Sequence, residues 1–381
     1  MRSYTWRYRD AAGKSRQVTS RSLEDVRSKR DEIRDRLNKG TYRDPRNGRT
    51  KVSDYATKWL AARKPFLDYN TWQTHEKRVR NHIVPKLGDL RMDQLDAQAI
   101  EEFQADLADG RSLDTVRCYF STFNQIIGDA LDKGVLGVDP RKGTTKIKTE
   151  WLKKKFPFEP GETDAIEGMA SGELRRLIKI KRGTGLRISE LLALDDEQID
   201  WTEGAETLHV DRQIGDDADH GTIIKDPKSA KGDRVIPLPA WVVEALNEQR
   251  QARAARPRDM TWVHRDKTTQ TVTARLFFHN GDGTPRKYHQ IKRDWDAVVT
   301  AADIRPKGDE GTGIHRLRHT YAGDLIRQGV DIYVVSRLMG HSSVRVTEKY
   351  YAHLRKETLE SAREALNGLR PRPRLALVRT A

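Results

Sequence analysis

A single cysteine, Cys118, among 381 residues excludes an intramolecular disulfide framework and any zinc site built from several thiolates. A lone thiol of this kind is expected as a small core residue in a reducing compartment. Long apolar runs are also missing. No stretch approaches the length of a membrane span, and the N-terminal MRSYTWRYRD has no apolar segment behind its charges, so a soluble, non-exported, cytoplasmic protein with no membrane partner is expected. Acidic residues are in deficit: 71 Lys and Arg face 56 Asp and Glu, a formal net charge of +15. The imbalance is concentrated at the start, where residues 1–50 hold fifteen basic and seven acidic side chains. Such a surplus favours a polyanionic partner, nucleic acid being the commonest.

The length suits two or three domains. Residues 1–45 alternate as strands in YTWRYRD and RQVTS around the turn AAGK, then turn helical in SLEDVRSKRDEIRDRLNKG, with Ser22 and Asp25 as a capping box and Gly40 as a stop. A unit this small has little core. Its Arg7, Arg9, Lys14 and Arg16 are therefore expected to lie on a partner. Residues 51–145 read as a four-helix bundle with Lys77, Arg78, Arg80 and His82 on one exposed face. A basic, proline-containing linker is expected over 146–162, a mixed α+β domain over 163–369, and a basic tail over 370–381. Within the α+β domain, GELRRLIKIKRGTGLRISELLAL predicts two helices around a glycine turn. GTIIKDPKSAKGDRVIPLP predicts a hairpin with Lys228 and Lys231 at its tip.

Four stretches carry chemistry: TGLRISEL with Arg187, the lysine-bearing loop, HRLRHT with His315, Arg318 and His319, and HSSVRVTEKYYAH with His341 and Tyr350. The spacing of His315 and His319 also suits zinc, but the metalloprotease glutamate position is filled by Arg316, a second cation precedes His319, and the segment offers no carboxylate at the right spacing for a third ligand. Two arginines, several histidines and a lysine instead suit a phosphate. A guanidinium fork matches two non-bridging oxygens and can stabilise a five-coordinate transition state. A tyrosine hydroxyl, with an ordinary pKa near ~10, becomes a nucleophile only where cations lower it or a base takes its proton. A histidine can be that base, and a mobile lysine can protonate the leaving oxygen.

The series Arg187, Lys228, His315, Arg318, His341, Tyr350 resembles, in order, that of tyrosine recombinases of the phage-integrase type, and the nine-residue step from the histidine of LMGH to Tyr350 is the usual one in that family. HIVPKLGDLRMDQLDAQAIEEFQADL is similar to the helical core-binding domain, and residues 1–45 resemble the small arm-type DNA-binding domain. The resemblance implies a small sheet plus helix, an all-α bundle and an α+β catalytic domain. It implies that Tyr350 attacks DNA, forms a 3′-phosphotyrosyl link and frees a 5′-hydroxyl, with neither metal nor nucleotide cofactor. Glu190 would orient Arg187, and His319 would support the fold. Lys231 and Tyr351 are the alternatives to Lys228 and Tyr350. The implied partners are double-stranded DNA attachment sites, a homotetramer that exchanges strands through a Holliday junction, and an accessory bending or directionality factor. The C-terminal helix and tail would dock on a neighbouring protomer. Rival readings are a cellular recombinase that resolves chromosome dimers, a non-catalytic DNA-binding relative and a type IB topoisomerase.

Overall fold

The computed structural model describes residues 3–10, 13–39, 47–147, 155–307 and 311–351, with His353 and Leu366 besides. Two compact units divide at residues 149 and 150.

In the first unit, β1 (Tyr4–Arg9) and β2 (Ser15–Ser20) pair antiparallel, with Tyr8 opposite Arg16 and Trp6 opposite Val18. Strand alternation puts these four on one face. Trp6 and Tyr8 stack there at 4.7 Å. Arg16 shares that face and is ion-paired to Asp10 at 2.9 Å, whereas Arg7, Arg9 and Lys14 are exposed. The helix α1 (Leu23–Asn38) follows, and the Ser22 hydroxyl accepts from the Asp25 amide at 3.3 Å, as its sequence suggests. The expected stop at Gly40 lies outside the described residues.

The expected bundle is present as α2 (Val52–Arg63), α3 (Tyr69–Arg78), a π-helical turn (Val79–Ile83), α4 (Val84–Leu87), α5 (Ala97–Ala108) and α6 (Leu113–Asp132). Trp59, Ile83, Ile100, Phe123 and Ile127 pack in its core. Two expectations are corrected. Cys118 is exposed, because Val116 and Phe120 already point α6 inward and position 118 turns away from both. Of the basic face, Lys77 and Arg80 are exposed, but Arg78 donates to the Thr122 hydroxyl at 3.2 Å and His82 stacks on Tyr119 at 4.3 Å.

The second unit holds α7 (Pro160–Met169), α8 (Gly172–Thr184), the short α9 (Ile188–Leu191), β3 (Ile199–Asp200), β4 (Thr207–Val210), β5 (Gln213–Asp217), β6 (Gly221–Lys225), β7 (Arg234–Pro237) and α10 (Ala240–Ala252). It continues with β8 (Arg258–Val263), β9 (Thr269–Ala274), α11 (Tyr288–Ala301), α12 (Arg316–Arg327), α13 (Ile332–Leu338) and α14 (Val344–Tyr351). One core joins Leu177, Ile178 and Ile180 of α8 to Val242 and Leu246 of α10 and Trp295 of α11. A separate cluster gathers Tyr321, Ile326, Val335, Met339 and Tyr351 from the last three helices.

The predicted lysine hairpin does not form. β6 pairs with β5 and, in parallel, with β8, while β7 pairs with β4 in another sheet. The lysines thus lie on a connection between two sheets, with a 3-10 turn at Ala230–Gly232. Gly221, at φ +69°, supplies the turn that lets β5 claim β6 first. The linker expected over 146–162 also ends early. Phe158 is fully buried in the core of the second unit, its amide donates to the Thr320 hydroxyl at 2.9 Å, and Arg316 holds the carbonyls of Phe156 and Pro157. The expected C-terminal helix and tail lie outside the described residues, apart from Leu366.

Candidate active site

The site begins where α8 stops. Gly185 closes that helix at φ +63°, and a Cβ there would come within 2.3 Å of the Tyr321 ring, so only glycine lets the chain turn so close to α12. Two residues on, Arg187 caps α9, and Glu190 folds back onto it. One carboxylate oxygen accepts from the Arg187 amide at 2.9 Å and the other from its guanidinium at 2.7 Å. Glu190 is 2% exposed and also accepts from Arg234 at 2.9 Å. Burial alone would raise its pKa, but the guanidinium of Arg234, with those of Arg318 and Arg187 behind it, holds the group at about 2. One buried carboxylate therefore serves three cations.

Those cations converge on a single turn. Arg234 donates to the Leu338 carbonyl at 2.7 Å, Arg318 to that of Met339, Arg187 to that of Gly340 at 3.3 Å, and Lys231 to that of Ser342 at 2.8 Å. These carbonyls include the last of α13, which have no partner within the helix, and cations suit its negative end. The arrangement fixes the residue between them, His341. Its Nδ1 meets the Thr347 hydroxyl at 2.8 Å, and burial with the nearby Arg318 and Arg187 pushes the imidazole down to about 3.

Arg318 is 2% exposed and also donates to the Gly185 carbonyl at 2.6 Å. Each of its terminal nitrogens keeps a second hydrogen for a ligand. Burial, then repulsion from Arg187, brings it down to about 9. His315 precedes α12, open at its outer edge, with its ring 5.0 Å from that of His319. Surrounding protein and the charges of Lys181, Arg318 and Arg187 hold it at about 4, so it is neutral at physiological pH. His319, one helical turn further, is buried and shares a short hydrogen bond through Nδ1 with the Tyr351 hydroxyl.

The two adjacent phenols differ. Tyr351 is 1% exposed, and its hydroxyl bears electrostatically on Arg318. Tyr350 is half-buried, its ring lies under the Lys349 ammonium at 5.6 Å, and its carbonyl accepts from the Lys155 amide at 3.4 Å. Of the two lysines, Lys231 is bound to the His341 turn, while Lys228 is exposed and makes no hydrogen bond among the described residues. Thus Arg187, Arg318, His315, His319, His341, Lys231 and Glu190 come together, and Lys228 stands exposed on the same loop as Lys231.

Sequence reasoning missed Lys181 and Arg234. Lys181 is fully buried, donates to the Leu186 carbonyl at 2.5 Å, and is pushed down to about 7 by burial and by Arg318. Its place four residues after Leu177 on the inward face of α8 was the available signal. Arg234 alternates inward with Ile236 along β7, which strand periodicity could have told. Because folding discharges Lys181 near neutrality while the unfolded chain keeps it charged to about 10.5, its contribution to stability grows as pH rises from 7. In Lys181→Met that part of the rise disappears, and thermal midpoints of the two chains at pH 7 and pH 9 measure it.

A cage of cations, neutral imidazoles and a phenol, carried on an α+β domain that follows a helical bundle in sequence, defines an enzyme that handles a phosphodiester through fixed positive charge. The chain belongs to the phage integrase family: residues 163–358 match that family and residues 51–108 match its N-terminal SAM-like domain. It is 25% identical over 339 residues to a XerC-like tyrosine recombinase of Caldanaerobacter subterraneus subsp. tengcongensis, covering 84% of this chain and 83% of that one. Its fold is that of the Tn1549 transposon integrase in complex with a circular intermediate DNA (23% identity, TM-score 0.67, 84% of this chain and 99% of that one). It is also that of the lambda integrase tetramer bound to a Holliday junction (15% identity, TM-score 0.58, 92% of each). The chain is accordingly a tyrosine recombinase, as its motifs imply.

Proposed function

We propose that this recombinase integrates and excises a phage or other mobile element by cutting and rejoining DNA through a 3′-phosphotyrosyl link. The observation that carries it is the convergence of Arg187 and Arg318 on adjacent carbonyls beside His341, one helix away from two phenols. A phosphodiester seated there meets guanidinium hydrogens from two sides. The roles follow the chemistry. Arg187 and Arg318 stabilise the five-coordinate phosphate, with His315 and His341 donating to its oxygens, and Glu190 and Arg234 hold the first arginine in place. A phenol of the Tyr350–Tyr351 pair attacks. Lys228, or Lys231 in its stead, protonates the departing 5′-oxygen, and reversing the step with the partner strand's 5′-hydroxyl rejoins the DNA. The link conserves the energy of the broken bond, so no nucleotide is consumed.

The exposed Arg7, Arg9 and Lys14, with Lys77 and Arg80, suit contacts to duplex phosphates. Arg16 and Arg78, paired within the protein, suit them less. Four copies on two attachment sites, exchanging strands through a Holliday junction with an accessory bending or directionality factor, complete the proposal, in the cytoplasm or nucleoid of a prokaryote. Among the described residues no helix is long and apolar enough to cross a membrane. The sheet-plus-helix segment at residues 4–38 favours an integrase over a chromosome-dimer resolvase.

The proposal is tested on a nicked duplex from the DNA flanking the gene. The wild-type chain is expected to give an SDS-resistant protein–DNA adduct, and Tyr350→Phe/Tyr351→Phe none. Binding without an adduct indicates a non-catalytic relative. Relaxation of supercoils without recombination between two such sites indicates a topoisomerase.

A further inference from the structure

We infer that Tyr351, rather than Tyr350, is the phenol that attacks DNA, and that His319 takes its proton; this rests on the phosphotyrosyl reading above. Neighbours in a helix point about 100° apart, so only one of two consecutive tyrosines can face the cations. The rings lie 6.4 Å apart at 70° to each other, and the choice between them is visible in their partners. Tyr351 reaches His319 Nδ1 with its hydroxyl, its ring 5.8 Å from the imidazole. His319 in turn edges His315 at 5.0 Å. The Tyr350 hydroxyl makes no hydrogen bond among the described residues; what this residue offers the rest of the unit is its carbonyl, to Lys155. His319 is held neutral by burial and by the charges of Lys155 and Arg318, so with its proton on Nε2 it presents a lone pair on Nδ1 to the phenol. An arriving phosphate brings negative charge into this cluster and makes the ring a stronger base than it is in the free protein.

The step balances as follows. Tyr351 Oη forms a bond to phosphorus as its proton passes to His319 Nδ1. The bond from phosphorus to the 5′-oxygen breaks, and that oxygen takes a proton from the loop lysine. Reversal returns the proton from His319 to the phenol. Burial of Tyr351 among Tyr321, Ile326, Val335 and Met339 also serves the intermediate, because an ester formed there is shielded from water until the partner strand arrives.

The test maps the adduct on the intact chain. After trapping on the nicked duplex and proteolysis, Tyr350 and Tyr351 fall in one peptide, and fragment masses place the nucleotide on one or the other. Label on Tyr351 supports the assignment. Label on Tyr350 overturns it and leaves the phosphotyrosyl reading standing, whereas a wild-type chain that binds DNA and gives no adduct overturns the reading beneath it. In support, Tyr350→Phe is expected to form adduct within about threefold of wild type while Tyr351→Phe forms none. His319→Gln is expected to slow adduct formation by about 10²-fold or more with DNA affinity retained, in keeping with the loss of a general base. An unchanged rate in that variant overturns the part given to His319.

Discussion

Arg187→Ala is expected to slow strand cleavage by roughly 10³- to 10⁵-fold, the range seen when an arginine that stabilises phosphoryl transfer is lost. Arg318 is almost wholly enclosed, but the Arg187 side chain keeps 33% of its surface exposed and holds Glu190 and Gly340 with its terminal nitrogens only. It is therefore the guanidinium with most surface for an incoming phosphate. Affinity for DNA should change only a few-fold, because many backbone contacts share the binding and each contributes to a steep salt dependence. Arg187→Lys should recover little, since an ammonium restores the charge but not the fork that spans two oxygens. Single-turnover cleavage and equilibrium binding, both at one stated salt concentration, check the separation of rate from affinity.

Glu190→Gln should have the largest effect on folding, a loss of about 3–5 kcal/mol, as when one partner is removed from a buried ionic group. The carboxylate is buried, and Arg187, Arg234 and Arg318 all depend on it. Without it they repel one another around the fully buried Lys181. The pH dependence has a definite sign. Glu190 lies at about 2 when folded against an ordinary 4.5, so its contribution is complete above pH 4.5 and fades as pH falls toward 2. His315 and His341, held at about 4 and about 3 against 6.5, contribute fully above pH 6.5 and progressively less as pH falls toward those values. Thermal midpoints of the wild-type chain should thus decline from pH 6.5 downward. The Glu190→Gln chain should start lower and decline less steeply below pH 4.5, where the histidines' part remains and the Glu190 part is gone.

Much of this was legible in the sequence because helices and cations announce themselves locally. The bundle and the helices of the catalytic unit followed from apolar spacing, and the glycine turn before Arg187 from its own dipeptide. Strand partnership did not, because it is decided at long range. Nothing in GTIIKDPKSAKGDRVIPLP reports that its first half has been claimed by Gln213–Asp217 and its second by Thr207–Val210. The buried Phe158 was hidden by its basic, proline-flanked surroundings, which read as linker although Arg316 and Thr320, distant in sequence, anchor them. At the site, residue types and order identified the cage, but not what holds it. Lys181 looked like one more lysine in KIKRG, and Arg234 like one more cation on a basic loop, until their carbonyl and carboxylate partners were in view. The step of nine from His341 pointed to Tyr350, and spacing alone said nothing of the next residue, Tyr351, whose hydroxyl meets His319. Spacing counts residues, and direction depends on how the turn before α14 is wound.

The most direct measurement of the central claim is single-turnover cleavage of the nicked duplex in excess EDTA, with the cut ends analysed chemically. A positive cage that replaces metal and nucleotide predicts an unchanged rate, a free 5′-hydroxyl and a 3′-phosphate attached to a tyrosine of the 350–351 pair. Cleavage that stops on chelation, or that leaves a free 3′-end with no protein attached, would contradict it.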